Sequence, residues 1–340
     1  MRNLFALLVC FVVANGGFGQ HALGAEPAEP KKPPVETGKF VKVYDPNVGE
    51  SKDEAWYIND HGFAYGSDGQ WHLYGITGFI APKGRVHPTK ERLFAHATAK
   101  TLMQQPWEKR PHALTYAPEA PWRERHLWAP CIVEHDGTYY MFYCAGDEDN
   151  TKYKIHLATS KDMNAWTRHP ANPMIVDGFD ARDPFVTRLG DKWVMYYTAT
   201  TEPAEGNHCI VYVTSDDLIH WRDRRIAFVD PSKGKWGGPC ESPQMVQRGD
   251  RYYLMLGPRN GNRIEYVGTD VYVSRDPFHW KIEDRVAHLR AHAPEVLRDI
   301  DGRWYISDCG WGRRGVFIAP LIWNDGLEDP ETNIAVPKAK

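Results

Sequence analysis

Apolar and polar residues alternate in short runs along this chain, and helical periodicity is almost absent. Lys192-Trp-Val-Met-Tyr-Tyr197 is a typical run, rich in the aromatic and β-branched residues that suit a pleated, half-buried surface. Turn dipeptides of one kind separate paired runs: Asp68-Gly69, Asp136-Gly137, Gly190-Asp191, Gly249-Asp250 and Asp301-Gly302. Such dipeptides tolerate positive φ and favour two-residue hairpins. Two positions after each comes an aromatic residue: Trp71, Tyr139, Trp193, Tyr252 and Trp304.

A second element follows three of the hairpins. A strand ends at Ser160, Ser215 or Ser274, a polar turn follows, and a tryptophan stands six positions on at Trp166, Trp221 or Trp280. The stretch from Phe94 to Trp107 is a looser copy. A repeat of roughly fifty residues built from short strands matches four-stranded blades. The pattern predicts an all-β, single-domain, five-bladed β-propeller. Its blades are expected over residues 57–109, 126–168, 182–225 and 241–284, with the fifth opening near His292. The fifth lacks the Ser…Trp strand, and an unpaired blade edge is a liability. Residues 40–44 alternate correctly and are expected to supply the missing strand.

Composition narrows the partners. The chain has 340 residues, a net charge of −3 and 13% aromatic residues. That charge excludes a basic nucleic-acid surface, and the aromatic content fits both core packing and sugar stacking. Arg2, an apolar run from Leu4 to Ala14 and small residues through Ala25 read as a signal peptide over residues 1–25. The run is short for a membrane span, so the expected product is secreted or periplasmic, with no membrane partner. Residues 26–38, rich in Pro, Lys and Glu, read as a disordered linker, and the propeller is expected over 39–330. Beyond Cys10, five cysteines remain at wide spacing. They read as buried free thiols rather than a disulfide framework or a metal site.

One frame recurs at the start of each innermost strand. Trp128-Ala-Pro, Arg182-Asp-Pro, Glu241-Ser-Pro and His292-Ala-Pro repeat it, and Ile58-Asn-Asp-His-Gly62 is a further relative that places Asp60 at the equivalent point in blade one. Innermost strands line the channel of a propeller, so Asp60, Asp183 and Glu241 are expected to surround one mouth. Glycoside hydrolysis needs two carboxyl groups flanking the scissile bond, and a third nearby raises the donor's pKa. The expected partner is therefore a carbohydrate. A non-catalytic carbohydrate-binding propeller is the alternative, although such a module has no need of three acids. Trp128, Trp236 and Trp311 are candidate sugar platforms, and each also fits packing between blades.

Several of these segments resemble known families. Tyr57-Ile-Asn-Asp-His-Gly-Phe63, Arg182-Asp-Pro-Phe185 and Cys240-Glu-Ser-Pro243 look like the three acidic motifs of glycoside hydrolase family 32, the β-fructosidases. Family 43, the arabinanases and xylosidases, shares the five-bladed fold and the Asp, Asp, Glu order. The resemblance implies that Asp60 is the nucleophile in a family 32 mechanism or the general base in a family 43 mechanism. It implies that Asp183 stabilises the transition state with Arg182 beside it, and that Glu241 is the general acid. Phe94-Ala-His-Ala-Thr98 resembles the outer strand of the first blade, which adds His96 to the substrate contacts. Some family 43 members place a histidine near a central calcium, and His292 would hold that position. Read from the residues, His292 is a hydrogen-bonded channel histidine, and no metal or cofactor is expected. The chain departs from family 32 at His61, where a proline is usual, and in ending soon after blade five. These departures weigh against a fructan substrate and favour a family 43-like or divergent single-propeller enzyme, and the expected stereochemical outcome, taken from the absence of a β-sandwich after blade five, is inversion.

Overall fold

The computed structural model describes residues 32–50, 52, 54–80, 91–146, 152–203, 205–234, 238–261, 263–310, 312 and 315–329. It is a five-bladed β-propeller, each blade an antiparallel sheet. Strands β1 (Val35–Thr37) and β2 (Val41–Tyr44) precede blade one. Blade one is β3 (Ala55–Tyr65), β4 (Trp71–Ile80), β5 (Leu93–Ala99) and β6 (Glu108–Thr115). Blade two is β7 (Trp128–His135), β8 (Thr138–Gly146) and β9 (Tyr153–Ser160), edged by two short strands, β10 (Thr167–Arg168) and β11 (Ile175–Val176). Blade three is β12 (Arg182–Leu189), β13 (Lys192–Glu202), β14 (Glu205–Ser215) and β15 (Arg222–Lys233). Blade four is β16 (Glu241–Arg248), β17 (Arg251–Gly257), β18 (Thr269–Ser274) and β19 (Arg285–Leu289). Blade five is β20 (Val296–Arg298), β21 (Trp304–Asp308) and β22 (Val316–Trp323).

The fifth blade is completed from the N-terminal side. Val41 and Lys42 of β2 pair with Ile318 and Phe317, as the alternation of residues 40–44 implies. The 26–38 linker expectation needs correcting at its end, because Val35–Thr37 pair with Trp323, Ile322 and Leu321. Val35 is 1% exposed and packs with blade-four and blade-five residues, so one apolar side chain in a polar stretch is enough to recruit it to the edge. The signal-peptide residues lie outside the described residues. No helix of the described residues is long and apolar enough to cross a membrane.

The hydrophobic core is five separate seams, each between neighbouring blades. This follows from strand alternation: every blade has two apolar faces, and each must be covered by the next blade. The recurring Ser…Trp element belongs to these seams. Backbone N–H groups of Asp162 and Met163 donate to Ser160 Oγ, and those of Asp217 and Leu218 donate to Ser215 Oγ. Met163 and Leu218 consequently take positive φ of 61° and 65°. Trp280, 1% exposed, donates from Nε1 to the Tyr252 carbonyl at 3.1 Å and packs edge-on against Tyr196 in the seam between blades three and four. Trp280→Ala should therefore destabilise the fold by about 3–5 kcal/mol, the usual cost of emptying a large aromatic site. Urea unfolding followed by far-UV circular dichroism would measure it.

Candidate active site

The strand starts that line the channel share a local device. In β3, β7, β12 and β16 two residues are bulged between paired positions: 58 and 61, 128 and 131, 182 and 185, and 241 and 244. Proline cannot donate to a ladder, and a bulge is where a strand accepts one. The residue before each proline turns left-handed: φ is 45° at Ala129, 53° at Asp183, 47° at Ser242 and 42° at Ala293. Such values are uncommon outside glycine and mark backbone held by its surroundings. At Asp183 the hold is visible, because the Ser242 N–H donates to Asp183 Oδ2 at 3.1 Å, tying blade three to blade four.

The three acids occupy three different slots of this bulge. Glu241 holds the last paired position, Asp183 the left-handed one, and Asp60 the slot that proline fills elsewhere. The expectation of matching positions is thus corrected, yet the side chains meet. Asp60 and Asp183 line an axial cavity of ≈ 20 Å³ with His61, Gln244 and Glu295. Arg182 Nη1 is 2.8 Å from Glu241 Oε1 and 3.6 Å from Asp183 Oδ2. Asp60 and Glu241 keep 20% and 16% of their side chains exposed, so both are open to a ligand from the channel mouth.

One guanidinium serves more carboxylates than it can neutralise. Arg182 Nε also donates to Asp180 Oδ1 at 2.8 Å, and Asp180 is fully buried. Burial, outweighing the attraction of Arg182, pushes Asp180 up to about 7. Burial also lifts Asp60 well above the usual carboxylate range, with the charges of Asp183 and Glu241 adding to it. Glu241 is raised by burial and by Asp183, while its bond to Arg182 pulls the other way. Burial therefore favours the protonated forms of Asp60, Asp180 and Glu241, while Arg182 favours the ionised form of Glu241.

His61 occupies the place of the expected proline for a different purpose. Its Nε2 lies 2.7 Å from Ser307 Oγ of blade five, and Ser307 Oγ accepts from the Glu295 N–H at 2.8 Å. Burial lowers His61 to about 3, so it is neutral and joins blade one to blade five. His292 Nε2 lies 3.0 Å from Asn59 Oδ1 and 3.9 Å from Asp60 Oδ1. With that nitrogen engaged, and no group of three His, Cys, Asp or Glu side chains arranged for a metal ion among the described residues, the arrangement does not fit a calcium cage.

Other expected contacts separate. Trp128, at the start of β7, is partly exposed beside the channel, its indole stacked on His126 at 3.7 Å. His96 does not reach the site: it is 2% exposed in β5, 2.9 Å from His72 Nδ1 and stacked on Tyr74. A third strand lies within the blade wall, away from the channel, which is the reason for the correction. Trp236 and Trp311 lie outside the described residues. Two acids beside the site, the buried Asp180 and the partly buried Glu295, escaped sequence reasoning. Asp180 stands two residues before Arg182, on the spacing of adjacent same-side positions in a strand. Glu295 directly follows the His292-Ala-Pro frame and accepts from Gln244 Nε2 at 2.8 Å; burial raises it well above the carboxylate range, and Asp60 adds to the effect.

Comparison with known proteins identifies the family and the fold. The profile of the "Glycosyl hydrolases family 32 N-terminal domain" matches residues 51–284. The chain is 28% identical over 211 residues to a "Probable sucrose-6-phosphate hydrolase" of Psychromonas ingrahamii, covering 59% of this chain and 36% of that protein. It is 29% identical over 163 residues to a "1,2-beta-oligomannan phosphorylase" of Thermoanaerobacter sp., covering 45% and 49%. The chain thus spans between a third and a half of the length of these relatives. Among solved structures, it superposes on a GH43 beta-xylosidase/alpha-arabinofuranosidase from a compost microbial metagenome with a TM-score of 0.61 and 16% identity. That match covers 81% of this chain and 94% of the other and shows a shared fold.

Proposed function

Because the chain belongs to the glycosyl hydrolase family 32 N-terminal-domain family, we propose that it hydrolyses glycosidic bonds of oligo- or polysaccharides with Asp60, Asp183 and Glu241. The observation that carries this reading is that Asp183 and Glu241, from blades three and four, share one guanidinium, while Asp60 from blade one lines the same axial cavity as Asp183. A sugar-binding module has no use for buried carboxylates, which cost stability when ionised. In this reading Glu241 delivers a proton to the leaving oxygen, and Asp60 attacks the anomeric carbon or activates water. Asp183 stabilises the oxocarbenium-like charge. Its left-handed backbone and the Ser242 N–H fix its direction before substrate arrives, which is preorganisation of the kind catalysis requires.

The same charges argue for water rather than phosphate as the acceptor. Arg182 is already engaged by Asp180, Asp183 and Glu241, so a phosphate dianion would meet net negative charge. Sugar release from a panel of fructans, arabinans, xylosides and mannosides, with and without inorganic phosphate, tests both parts. Release of free sugar at a rate independent of phosphate is expected. Glycosyl phosphate as the product would assign the chain to phosphorolysis, and no release from any substrate would favour the binding module.

A further inference from the structure

Residues of all five blades close the axial cavity beside the three acids. Its volume of ≈ 20 Å³ has room for about one water molecule. Asp60 borders it from blade one, and Glu295 borders it from the segment that enters blade five. His61, 2% exposed, borders it too, and its buried Nδ1 has no hydrogen-bond partner among the described residues. A polar space of this size, with an unsatisfied buried nitrogen on its wall, suits an ordered water.

The two carboxyls on this space are supported unequally. No protein group among the described residues donates a hydrogen bond to the Asp60 carboxylate; His292 Nε2, 3.9 Å away, is engaged by Asn59 Oδ1. Arg182 favours ionised Asp60, but Asp180, Asp183 and Glu241 already engage that guanidinium. Glu295 is held more closely. Its Oε1 accepts from Gln244 Nε2 at 2.8 Å, and its N–H donates to Ser307 Oγ at 2.8 Å, the oxygen that His61 Nε2 meets at 2.7 Å. With Oε1 taken as an acceptor, Oε2 is left to carry a proton. Burial raises Glu295 well above the carboxylate range; Gln244 opposes the rise and Asp60 adds to it. The other neighbours leave that proton alone. Burial lowers His61 to about 3 and pushes the Cys131 thiol up to about 12, so both are neutral. The charges of Asp183, Glu241 and Glu91 act on Asp60 in the same sense as a charge on Glu295, against ionisation.

We propose that Glu295 is a positioning residue for Asp60: the two carboxyls share one proton across this cavity through a single water, and the negative charge of the pair stays on Asp60. The proposal rests on the hydrolase reading above. Two acids on one desolvated space repel each other when both ionise, so one proton is retained between them. Glu295 Oε2–H donates to the water, and the water donates to the Asp60 carboxylate, a charge-assisted bond. Asp60 is thereby kept ionised and aimed from the axial side, while its exposed side meets the substrate at the channel mouth.

Two measurements test this. In the first, Glu295→Leu removes the donor, so Asp60 should ionise later. The acid limb of the pH–rate profile should move up by about one unit, a tenfold loss of kcat/KM on that limb. Glu295→Gln keeps an acceptor for Gln244 and an N–H for the water, and should restore most of the loss. An unmoved acid limb in Glu295→Leu, or an equal fall at every pH, would overturn the assignment. The second needs no substrate. The infrared difference between wild-type protein and Glu295→Gln at neutral pH should contain the C=O stretch of a protonated carboxylic acid. In an Asp60→Asn background that band should disappear at lower pH, because no neighbouring charge then opposes ionisation of Glu295. Absence of the band, or its loss at the same pH in both backgrounds, would also overturn the proposal. If the wild-type protein cleaves no sugar, the hydrolase reading fails, and the infrared result still decides whether the proton is shared.

Discussion

Glu241→Gln should slow cleavage of a sugar leaving group by about 10²–10⁴-fold, the span of general acid catalysis, while an activated aryl glycoside loses less than about tenfold. The aryl leaving group departs without a proton, so only the poor leaving group needs the acid. Asp60→Asn should abolish turnover of both, because neither attack nor activation of water survives without that carboxylate. Initial rates on the two substrates decide the matter. Wild-type rates in both variants would show that these residues are not the machinery.

The pH dependence follows from the same two groups. Activity requires Asp60 ionised and Glu241 protonated, and burial raises both above their ordinary values. Both limbs of the pH–rate profile should accordingly lie above those of exposed carboxylates, and the alkaline limb should vanish in Glu241→Gln. Stability gives an independent check. A carboxyl whose folded pKa is raised stabilises the fold at low pH, and that contribution is lost as pH rises through the folded value. Asp60→Asn carries no charge to bury, so its melting temperature should match or exceed that of the wild-type protein above neutral pH. A clear drop there would mean that the ionised carboxylate is held favourably. 1H NMR of the anomeric configuration of the first-formed sugar, before mutarotation, reports retention or inversion.

Asp180→Asn should move the alkaline limb to lower pH by roughly one unit, about a tenfold loss of kcat/KM on that limb. Asp180 and Glu241 share Arg182, at 2.8 Å each. As pH rises past about 7 Asp180 ionises and draws the guanidinium toward itself, which relieves Glu241 and keeps its proton in place. A neutral amide leaves Arg182 wholly to Glu241 and Asp183, so Glu241 loses its proton earlier. Because Asp180 contacts Arg182 rather than the pocket, it is a positioning residue, and the shifted limb distinguishes it from a general loss of fold. An unchanged limb with reduced kcat at every pH would assign Asp180 to structure alone.

The blades themselves were legible in the residues, since each repeat is a local device. Asp136-Gly137 takes positive φ at both positions, 49° and 67°, as a tight hairpin demands. Ser160, Ser215 and Ser274 cap the turns that lead to Trp166, Trp221 and Trp280. Alternation likewise marked residues 40–44 as a strand in search of an edge. Val35–Thr37 was missed, because three residues in a polar stretch make no periodic signal.

Local patterning also identified Asp60, Asp183 and Glu241 as strand-start acids, since the proline frame is a feature of consecutive residues. Which bulge slot each occupies, and which partners it meets there, depends on how five separately encoded blades pack around an axis. Arg182 bonds to Glu241 across 59 positions of chain, and Asn59 meets His292 across 233. His96 fits a functional motif in sequence but is turned into a blade wall by the alternation of β5. Tyr266 has no motif at all; only the folded structure sets its ring 5.8 Å from that of His292. Hydrogen bonding and side-chain alternation along a strand act over a few residues and are written there. Burial, shared protons and the aim of a carboxylate arise from neighbours distant in the chain, and packing of the blades decides them.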